Sequence, residues 1–394
     1  MKRSPISLLV FVVLFVSCAT DLPLAENGAG ESPTAETGMQ LDWLADREVH
    51  EPRLILDRAG NLLFVWREKA DEGSNIFVAL RGRDGQFTDP VRANDAADTV
   101  ASYPHDEMRP AVATGPGGRL AVAWSDSRGQ VRAAESTNGG ATFSPAFRLE
   151  QVEEASYRGF PELVYDDDGV LHAVWIDSRF AEGFAEEPAD LFYARVVDGE
   201  VTEWNLTAEQ EPTICGCCRP SLEMAQSGAL RAVFRNGADG YRDIFTVTGN
   251  LDSGFSQPRR IGQPLWKLNG CPMSGPATLA GNVSWADGST GRKQLTTADF
   301  DSAESVPLFP EADDIDWVPR LSPRRVSSVG PGAALLLLPG QAASRLMVRQ
   351  EDRWVLVVDD LPAWASSGHL EDGALLLIGA VGGEVKMLRR PIEI

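Results

Sequence analysis

The sequence predicts an all-β fold, a β-propeller of seven four-stranded blades, and three observations lead to this prediction. First, one pattern recurs along the chain at intervals of about fifty residues, a period typical of propeller blades. Second, apolar runs of four to seven residues are bounded by glycine, proline or aspartate, as β-strands are. Third, no segment sustains the hydrophobic period of an amphipathic helix, so helices are not expected in the body of the protein.

Each repeat begins with arginine or proline before a short apolar strand, and a glycine turn then leads into a stronger apolar strand. Two further short strands complete the unit, which matches the antiparallel four-stranded blade of a propeller. The strong strands are predicted at 62–66, 120–124, 170–175, 230–234, 283–285, 333–338 and 374–378.

The last repeat contains only three predicted strands. Residues 41–44 are largely apolar and are predicted to supply its fourth strand. This N-terminal strand closes the ring and removes the exposed sheet edges that an open propeller would present. A ring of six blades is the alternative if the terminal segments pack differently.

The N-terminus has the parts of a secretion signal over residues 1–17, with Lys2 and Arg3 followed by an apolar run at 6–16. That run is too short to span a bilayer, which takes about 20 residues. Residues 15–18 resemble a bacterial lipobox, and this resemblance implies cleavage before Cys18 and lipidation of that residue. Ala19 favours the outer membrane of a Gram-negative bacterium, on its periplasmic or its surface face.

Residues 18–38 are small, polar and proline-containing, which is typical of a flexible tether, and 39–394 are left for the propeller. The formal charge of the chain is −21, and removal of the two positive charges in the signal takes −21 to −23. A field of this sign argues against nucleic acid and against anionic lipid head groups as partners. The membrane contact is therefore expected to come from the lipid anchor.

The segment from Ser136 to Phe143, STNGGATF, resembles the Asp-box of bacterial neuraminidase (BNR) repeats, with asparagine and phenylalanine in place of aspartate and tryptophan. A fainter copy occupies 252–255. The chain also resembles an uncharacterised, sialidase-like bacterial group that shares CGCC at 215–218, RDI at 242–244 and NGCP at 269–272. In such proteins the Asp-box is a structural turn between the third and fourth strands, so the resemblance implies a propeller and leaves activity open.

Polar residues are predicted to gather on one face of the propeller, because inner strands begin there and the loops between second and third strands return there. The inner-strand starts supply Arg53, Arg109, Arg219 and Arg320, and the loops supply Asp126, Arg128, Asp177, Arg179 and Arg235. Guanidinium groups suit carboxylates and phosphates, so this face is predicted to bind an anionic or glycan ligand, or an envelope protein. Two alternatives stay open: the arginines pair with acids on adjacent blades, and the repeated Asp-Ser-Arg word is a local turn.

Exo-sialidase or related glycoside hydrolase activity is the enzyme alternative. The resemblance implies an arginine triad, Arg53, Arg219 and Arg320, with Asp106 or Asp126 as acid/base and a tyrosine nucleophile. The five tyrosines are not where that family places its nucleophile, and Arg53 lacks the following Ile-Pro. A binding function is therefore favoured over catalysis.

Four cysteines lie in two short polar segments, Cys215, Cys217, Cys218 and Cys271. Outside the cytoplasm a disulfide from Cys217 or Cys218 to Cys271 is expected, with Cys215 bonded to the cysteine left over, and no cofactor is then needed. The alternative is copper bound by these thiolates together with Met273. A second, imidazole-based metal site is a further possibility, using His50, His105 and His369.

Overall fold

The structure is a computed structural model, and it describes most of the chain between residues 37 and 392. The described residues are 37–39, 41–82, 84–97, 99–101, 109–152, 156–181, 188–208, 214–225, 227–250, 253–262, 265–270, 272–279, 281–292, 294–302, 304–308, 324–328, 335–338, 343–350 and 353–392. Within these ranges no helix has the length and apolar character needed to cross a membrane.

Strands and turns of the first half form the closing strand and four blades. Strand β1 (Thr37–Met39) comes first, and blade one contains β2 (Val49–Leu56), β3 (Leu62–Lys69), β4 (Ser74–Leu80) and β5 (Val91–Arg92). Blade two contains β6 (Ala111–Thr114), β7 (Leu120–Ser125), β8 (Val131–Ser136) and β9 (Phe147–Arg148). Blade three contains β10 (Arg158–Tyr165), β11 (Leu171–Asp177), β12 (Asp190–Val197) and β13 (Glu200–Asn205). Blade four contains β14 (Ser221–Met224), β15 (Leu230–Arg235), β16 (Ile244–Asn250), β17 (Gly254–Phe255) and β18 (Arg259–Ile261), the last two both pairing with β16.

Three further blades complete the ring, and the prediction of seven antiparallel blades is confirmed. Blade five contains β19 (Ala277–Leu279), β20 (Asn282–Asp287), β21 (Gln294–Asp299) and β22 (Val306–Pro307). Blade six contains β23 (Arg324–Ser328), β24 (Leu335–Leu338), β25 (Ala343–Gln350) and β26 (Arg353–Pro362). Blade seven contains β27 (Ser367–Glu371), β28 (Ala374–Val381), β29 (Glu384–Pro391) and the N-terminal β1. Strands β23 and β27 pair in parallel and join the last two blades into one sheet.

An N-terminal strand closes the ring, but its predicted position was wrong. The strand is β1, which pairs with β29 through Thr37↔Arg389 and overlaps the last residues of the predicted tether. Residues 41–44 instead contain a 3-10 turn, Asp42–Leu44. The reason is aromatic packing: the Trp43 ring meets Trp66 edge-on at 5.5 Å, so this apolar segment covers the core instead of pairing at an edge.

Tryptophans near the ends of the second strands anchor the contacts within and between blades. Trp66, Trp124 and Trp175 are almost fully buried. The apolar clusters cross blade boundaries, as in the cluster that joins Trp66 of blade one to Leu376 and Ile378 of blade seven. The core is therefore a ring of inter-blade layers, and it leaves the ends of the inner strands available for polar groups.

The Asp-box segment is a turn between β8 and β9, as the resemblance implies. The Asn138 Oδ1 atom accepts a hydrogen bond from the Thr142 backbone N–H at 3.0 Å, and Ser136 Oγ accepts one from Gly140 at 2.9 Å. Gly139 and Gly140 have φ of 69° and 91°, a left-handed conformation that favours glycine. Phe143 packs against the apolar cluster between blades one and two.

Removal of the closing strand should lower stability. A chain starting at residue 42 lacks β1, which exposes the edge of β29 and uncovers part of the core that Met39 touches. We expect a loss of about 2–5 kcal/mol in the free energy of unfolding, the range for removing a large core side chain. Thermal denaturation measures it, with a chain starting at residue 36 as the control. Equal melting temperatures for the two chains would contradict the role of β1.

Candidate functional site

Three arginines from three blades converge on one carboxylate, that of Glu162 on β10. Arg219, which precedes β14, donates from Nε to Glu162 Oε1 at 2.5 Å, and the Arg109 Nη2 atom lies 3.9 Å from the same oxygen. Arg53 on β2 is a third cation close enough to lower the pKa of Glu162. The predicted gathering of arginines is thus found for these three, and Glu162 is the residue that sequence reasoning missed.

Backbone carbonyls at the inner-strand starts complete this cluster. Arg219 donates to Arg109 O at 2.7 Å and also to Pro161 O, and Arg53 donates to Pro110 O at 3.1 Å. Each of these bonds crosses from one blade to another. The arginines therefore link blades, which was one of the two alternatives that the sequence left open.

Two matching bulges place the charged side chains of blades one and three. The register of β2 with β3 shifts between His50 and Arg53, and that of β10 with β11 shifts between Gly159 and Glu162. Bulges re-aim the residues that follow them, and they commonly occur near functional sites. Pro52-Arg53 in blade one and Pro161-Glu162 in blade three occupy equivalent positions. The position that holds the cation Arg53 in blade one therefore holds the anion Glu162 in blade three.

The ionisation of Glu162 reflects its neighbours. Burial alone raises the pKa of Glu162, but the guanidinium groups of Arg219, Arg109 and Arg53 together hold it below its ordinary value of 4.5. The side chains of Glu162 and Arg109 are 21% and 12% exposed, while that of Arg219 is 2% exposed. Water can therefore reach the Arg109–Glu162 side of the cluster.

The two Asp-Ser-Arg words form local turns. The Asp126 Oδ1 atom accepts backbone N–H bonds from Arg128 at 2.8 Å and Gln130 at 3.0 Å, and its Oδ2 atom pairs with Arg132. Asp177 likewise accepts the Arg179 backbone N–H at 2.9 Å. The turn alternative explains the repetition, because the same backbone geometry recurs in blades two and three.

Asp177 is also the centre of a buried ion network. Its Oδ2 atom receives Arg158 Nε at 3.0 Å and Arg179 Nη2 at 2.6 Å, and Arg179 also pairs with Glu203. Burial would lower the pKa of Arg179, but its two carboxylate partners raise it. Arg179 and Asp177 are thus committed to internal contacts, whereas the Arg128 side chain is exposed.

Arg235 and Arg242 lie inside the protein close to the cysteines. The Arg235 guanidinium is fully buried and donates to the carbonyls of Ser274 at 2.9 Å, Arg242 at 2.5 Å and Ala286 at 3.0 Å. Burial lowers the pKa of Arg235. Arg235 is therefore not presented to a ligand at the surface.

Three cysteine sulfurs meet in the turn that leads into blade four. The Cys215 Sγ atom is 3.3 Å from that of Cys218 and 3.7 Å from that of Cys217, and all three sulfurs lie within 4.8 Å of one another. Cys215 and Cys218 are buried thiols. The predicted second bridge, from Cys215 to Cys217 or Cys218, is wrong, because a disulfide needs about 2.05 Å between its sulfurs.

The histidines do not assemble a metal site in the part of the chain that the structure describes. His50 lies 3.2 Å from Glu48, and the buried His369 lies 3.6 Å from Glu371. The three cysteines are the only group of three or more potential ligands among the described residues. Met273 packs against that cysteine group. Five predicted site residues fall outside the described ranges, Cys18, His105, Asp106, Cys271 and Arg320.

A cavity of about 490 Å³ lies between blades one and seven, and among its lining residues only His50 was a predicted site residue, as a metal ligand. Glu48, His50, Pro52, Trp364 and Ser366 contribute to its lining. Pro52 belongs to the inner-strand start that also carries Arg53, and the turn between β28 and β29 borders the cavity. The cavity therefore opens on the face where the arginines gather.

Tyr165 is bonded to a glutamate, as the nucleophile of a sialidase would be, but it lacks the lowered pKa of an activated nucleophile. The Tyr165 hydroxyl donates to Glu135 at 2.6 Å, and burial raises the pKa of Tyr165 far above its ordinary value. Tyr165 also ends β10, at the strand end opposite to the one that begins near the arginines. Tyr165 therefore lies away from the arginines with a raised pKa, unlike a tyrosine prepared to act as a nucleophile.

Comparisons with known proteins identify the fold. No family model and no curated protein matches the chain. The polysaccharide lyase Uly1 is 11% identical, covers 94% of this chain and 94% of its own, and has a TM-score of 0.53. An ulvan lyase of family PL25 bound to -[GlcA(1-4)Rha3S]- is 14% identical over 87% of this chain and 94% of its own, also at 0.53.

A puromycin-hydrolyzing peptidase from Mycobacterium tuberculosis is a third match, with a TM-score of 0.51 and 14% identity. The match covers 87% of this chain and 53% of the peptidase, so the chain spans about half the length of that protein. At these identities the likenesses show that the propeller fold is shared, and nothing more.

Replacement of Glu162 by glutamine should make stability less dependent on pH. Because its pKa is lowered in the folded state, the carboxylate stabilises the protein above about pH 4.5, and this contribution disappears as the pH falls through the folded value. We expect Glu162→Gln to lose about 3–5 kcal/mol at neutral pH, the cost of breaking a buried pair. Urea unfolding at several pH values measures this loss.

The difference between Glu162→Gln and the parent should shrink below pH 4.5, where the parent itself becomes protonated. The control is Asp167→Asn, whose side chain is 98% exposed and pairs only at the surface with Arg58. A constant difference at all pH values would contradict the proposed charge cluster.

Proposed function

We propose that the propeller binds an acidic glycan on its arginine-bearing face. The observation that carries this proposal is the convergence of Arg53, Arg109 and Arg219 around Glu162 at the inner-strand starts. The cluster already holds one carboxylate, and the carboxylate of a sugar acid has the same shape and charge. Guanidinium groups are suited to that geometry.

The exposed side of the cluster favours Arg109 as the residue that meets a ligand. Arg219 is buried and bonded to two carbonyls in addition to Glu162, so its main role is to link blades. Arg109 is partly exposed, and its contact to Glu162, at 3.9 Å, is longer. A ligand carboxylate or sulfate can therefore compete with Glu162 for Arg109 at a small structural cost.

The cavity beside blade one supplies features that suit a sugar. Its volume of about 490 Å³ falls within the range of about 300–1,000 Å³ usual for ligand pockets. Trp364 offers an apolar surface for the face of a sugar ring, while Glu48, His50 and Ser366 offer hydrogen-bonding groups. An extended glycan can therefore place its acidic group near the arginines and a neighbouring sugar in the cavity.

The solved structures support a glycan as ligand over other anions. Two of the similar propellers are polysaccharide lyases, and one of them is bound to -[GlcA(1-4)Rha3S]-, an acidic sugar chain. Binding is favoured over catalysis in this chain, because Tyr165, which donates to Glu135, has a raised pKa and lies at the strand end away from the arginines. Glycoside hydrolysis is the enzyme alternative.

Replacement of Arg109 by alanine should weaken binding of uronate-containing and sulfated oligosaccharides by about tenfold or more, since a hydrogen bond to a charged group contributes about 1.5–3 kcal/mol. Isothermal titration calorimetry with an acidic oligosaccharide panel measures the affinity, and circular dichroism checks the fold. The matched control is Arg128→Ala, because Arg128 is exposed and outside the cluster.

Equal binding by Arg109→Ala and the parent would contradict the proposal, as would binding of neutral glycans alone. Capture of a protein partner without any glycan affinity would also contradict it. Turnover of the same oligosaccharides, or of a fluorogenic sialoside, would replace binding by the enzyme alternative.

We further propose that the protein is anchored in the bacterial envelope, in the outer membrane, through a lipid on Cys18. The support is the signal-like N-terminus and the lipobox resemblance at 15–18. We also propose that Cys217 pairs with Cys271, since Cys215 and Cys218 are both thiols. Such a bridge closes a loop of about fifty residues and would stabilise the fold by about 2–4 kcal/mol.

Replacement of Cys18 by serine should release the protein from membranes, because the lipid is its only proposed membrane anchor. Membrane and soluble fractions of the producing cells, probed with an antibody to the propeller, measure the distribution. The control is Cys217→Ser, which leaves the anchor intact. A Cys18→Ser protein that stays with the membrane would overturn the anchor.

A further inference from the structure

The cysteine turn places two thiols in a buried, compact arrangement. The Cys215 backbone N–H donates to Arg235 O at 2.9 Å, and the Cys218 N–H donates to Cys215 O at 3.2 Å, so the turn is tied to β15. These bonds hold the sulfurs of Cys215 and Cys218 at 3.3 Å, with Cys217 next to them. Both thiols are completely buried.

Two buried cations beside the thiols lack ion-pair partners in the described part of the chain. Arg235 donates to three backbone carbonyls, and Arg242 donates to the carbonyls of Gly270 at 2.9 Å, Gly237 at 3.0 Å and Tyr241 at 3.1 Å. Neither forms an ion pair with a described carboxylate. Asp287 affects the pKa of Arg235 only through its charge, without a direct contact. A buried charge is costly unless it is balanced, so this site favours an anion.

The thiols are the groups available to carry that negative charge. A hydrogen bond from Cys218 lowers the pKa of Cys215, and the nearby Arg242 and Arg235 act in the same direction against burial. Burial raises the pKa of Cys218, and the neighbouring Cys215 adds to this effect.

We propose that Cys215 and Cys218 bind one Cu(I) ion as two thiolates, and that the positive charges of Arg235 and Arg242 stabilise the resulting anionic complex. Binding displaces both thiol protons to solvent, and two thiolates with one monovalent cation carry a net charge of −1. This soft-metal site uses none of the three arginine side chains around Glu162, and the proposal does not depend on glycan binding.

The spacing and the donor types favour Cu(I) over Zn²⁺. A thiolate–metal bond is about 2.3 Å long, so one ion can join sulfurs up to about 4.6 Å apart, and the 3.3 Å between the sulfurs of Cys215 and Cys218 falls within that limit. Zn²⁺ in structural sites takes four ligands, and no described histidine or carboxylate joins the sulfurs. Thiolates with the Met273 thioether nearby form a soft donor set, which selects Cu(I).

Copper titration of the full mature protein tests this site. Protein purified under reducing conditions and stripped with a chelator is titrated with Cu(I) against a chromophoric Cu(I) chelator. We expect one Cu(I) per chain, bound at least a hundredfold more weakly by Cys215→Ser and by Cys218→Ser, as expected for loss of a metal ligand. The matched control is Met387→Leu, which removes a thioether in blade seven, outside the cluster, and should leave the affinity unchanged.

A measurement on the unaltered protein covers the case in which a serine variant does not fold. X-ray absorption of the copper-loaded parent should show Cu(I) with two or three sulfur neighbours and no shell of nitrogen or oxygen ligands. Copper held equally well by the double variant Cys215→Ser/Cys218→Ser would overturn the proposal. So would a spectrum dominated by nitrogen, stoichiometric Zn²⁺ in its place, or failure of the parent to compete with the chelator.

Discussion

The shared carboxylate of Glu162 is the interaction on which the centre of this propeller depends. Seven blades have little reason to keep one arrangement around an axis unless their inner strands are tied together. Here Arg219 and Arg109 reach the Glu162 side chain from the two neighbouring blades, while Arg53 contacts the backbone of the second blade. One negative group therefore fixes the positions of several blades, and the arginines that a ligand needs are oriented by the same contacts.

Buried arginines need partners for their charge, and blades three and four provide these partners in different ways. Arg158 and Arg179 share the buried Asp177, so their charges are balanced by the protein itself. Arg235 and Arg242 are bound by carbonyl oxygens, which solvate a cation without neutralising it. The protein thus contains one interior region where positive charge is matched and one where the nearest ionisable groups are thiols.

The sequence predicted the fold better than the site, for a physical reason. The number of blades follows from the fifty-residue period of the sequence. This period is visible because each blade needs a buried apolar second strand, as at Trp66, Trp124 and Trp175. The closing strand was misplaced because the apolar residues near Trp43 pack through side chains, while β1 pairs through its backbone and has no such composition.

The polar contacts depend on register, which a single sequence shows only indirectly. The repeated Asp-Ser-Arg segments can be recognised in the sequence. The direction of their arginine side chains depends on partners such as Glu203, which lies on another strand and pairs with Arg179. Glu162 was missed because a lone glutamate in an apolar strand carries no local signal. An alignment of the repeats on Pro52 and Pro161 would have exposed it, since a glutamate there stands where blade one has Arg53.

The pairing of β1 with β29 has a consequence for the order of folding. It joins Thr37 to Arg389, across a separation of about 350 residues. The first strand of the ring can therefore pair only after the last strand has been synthesised. The entropic penalty of so long a loop grows only logarithmically, and each doubling of length adds about 0.6 kcal/mol. The long separation therefore affects the order of folding more than the final stability. Each blade can form locally as the chain emerges, and the pairing of β1 with β29 forms last. An incompletely synthesised chain therefore keeps an open strand edge, which can pair with another chain and lead to aggregation.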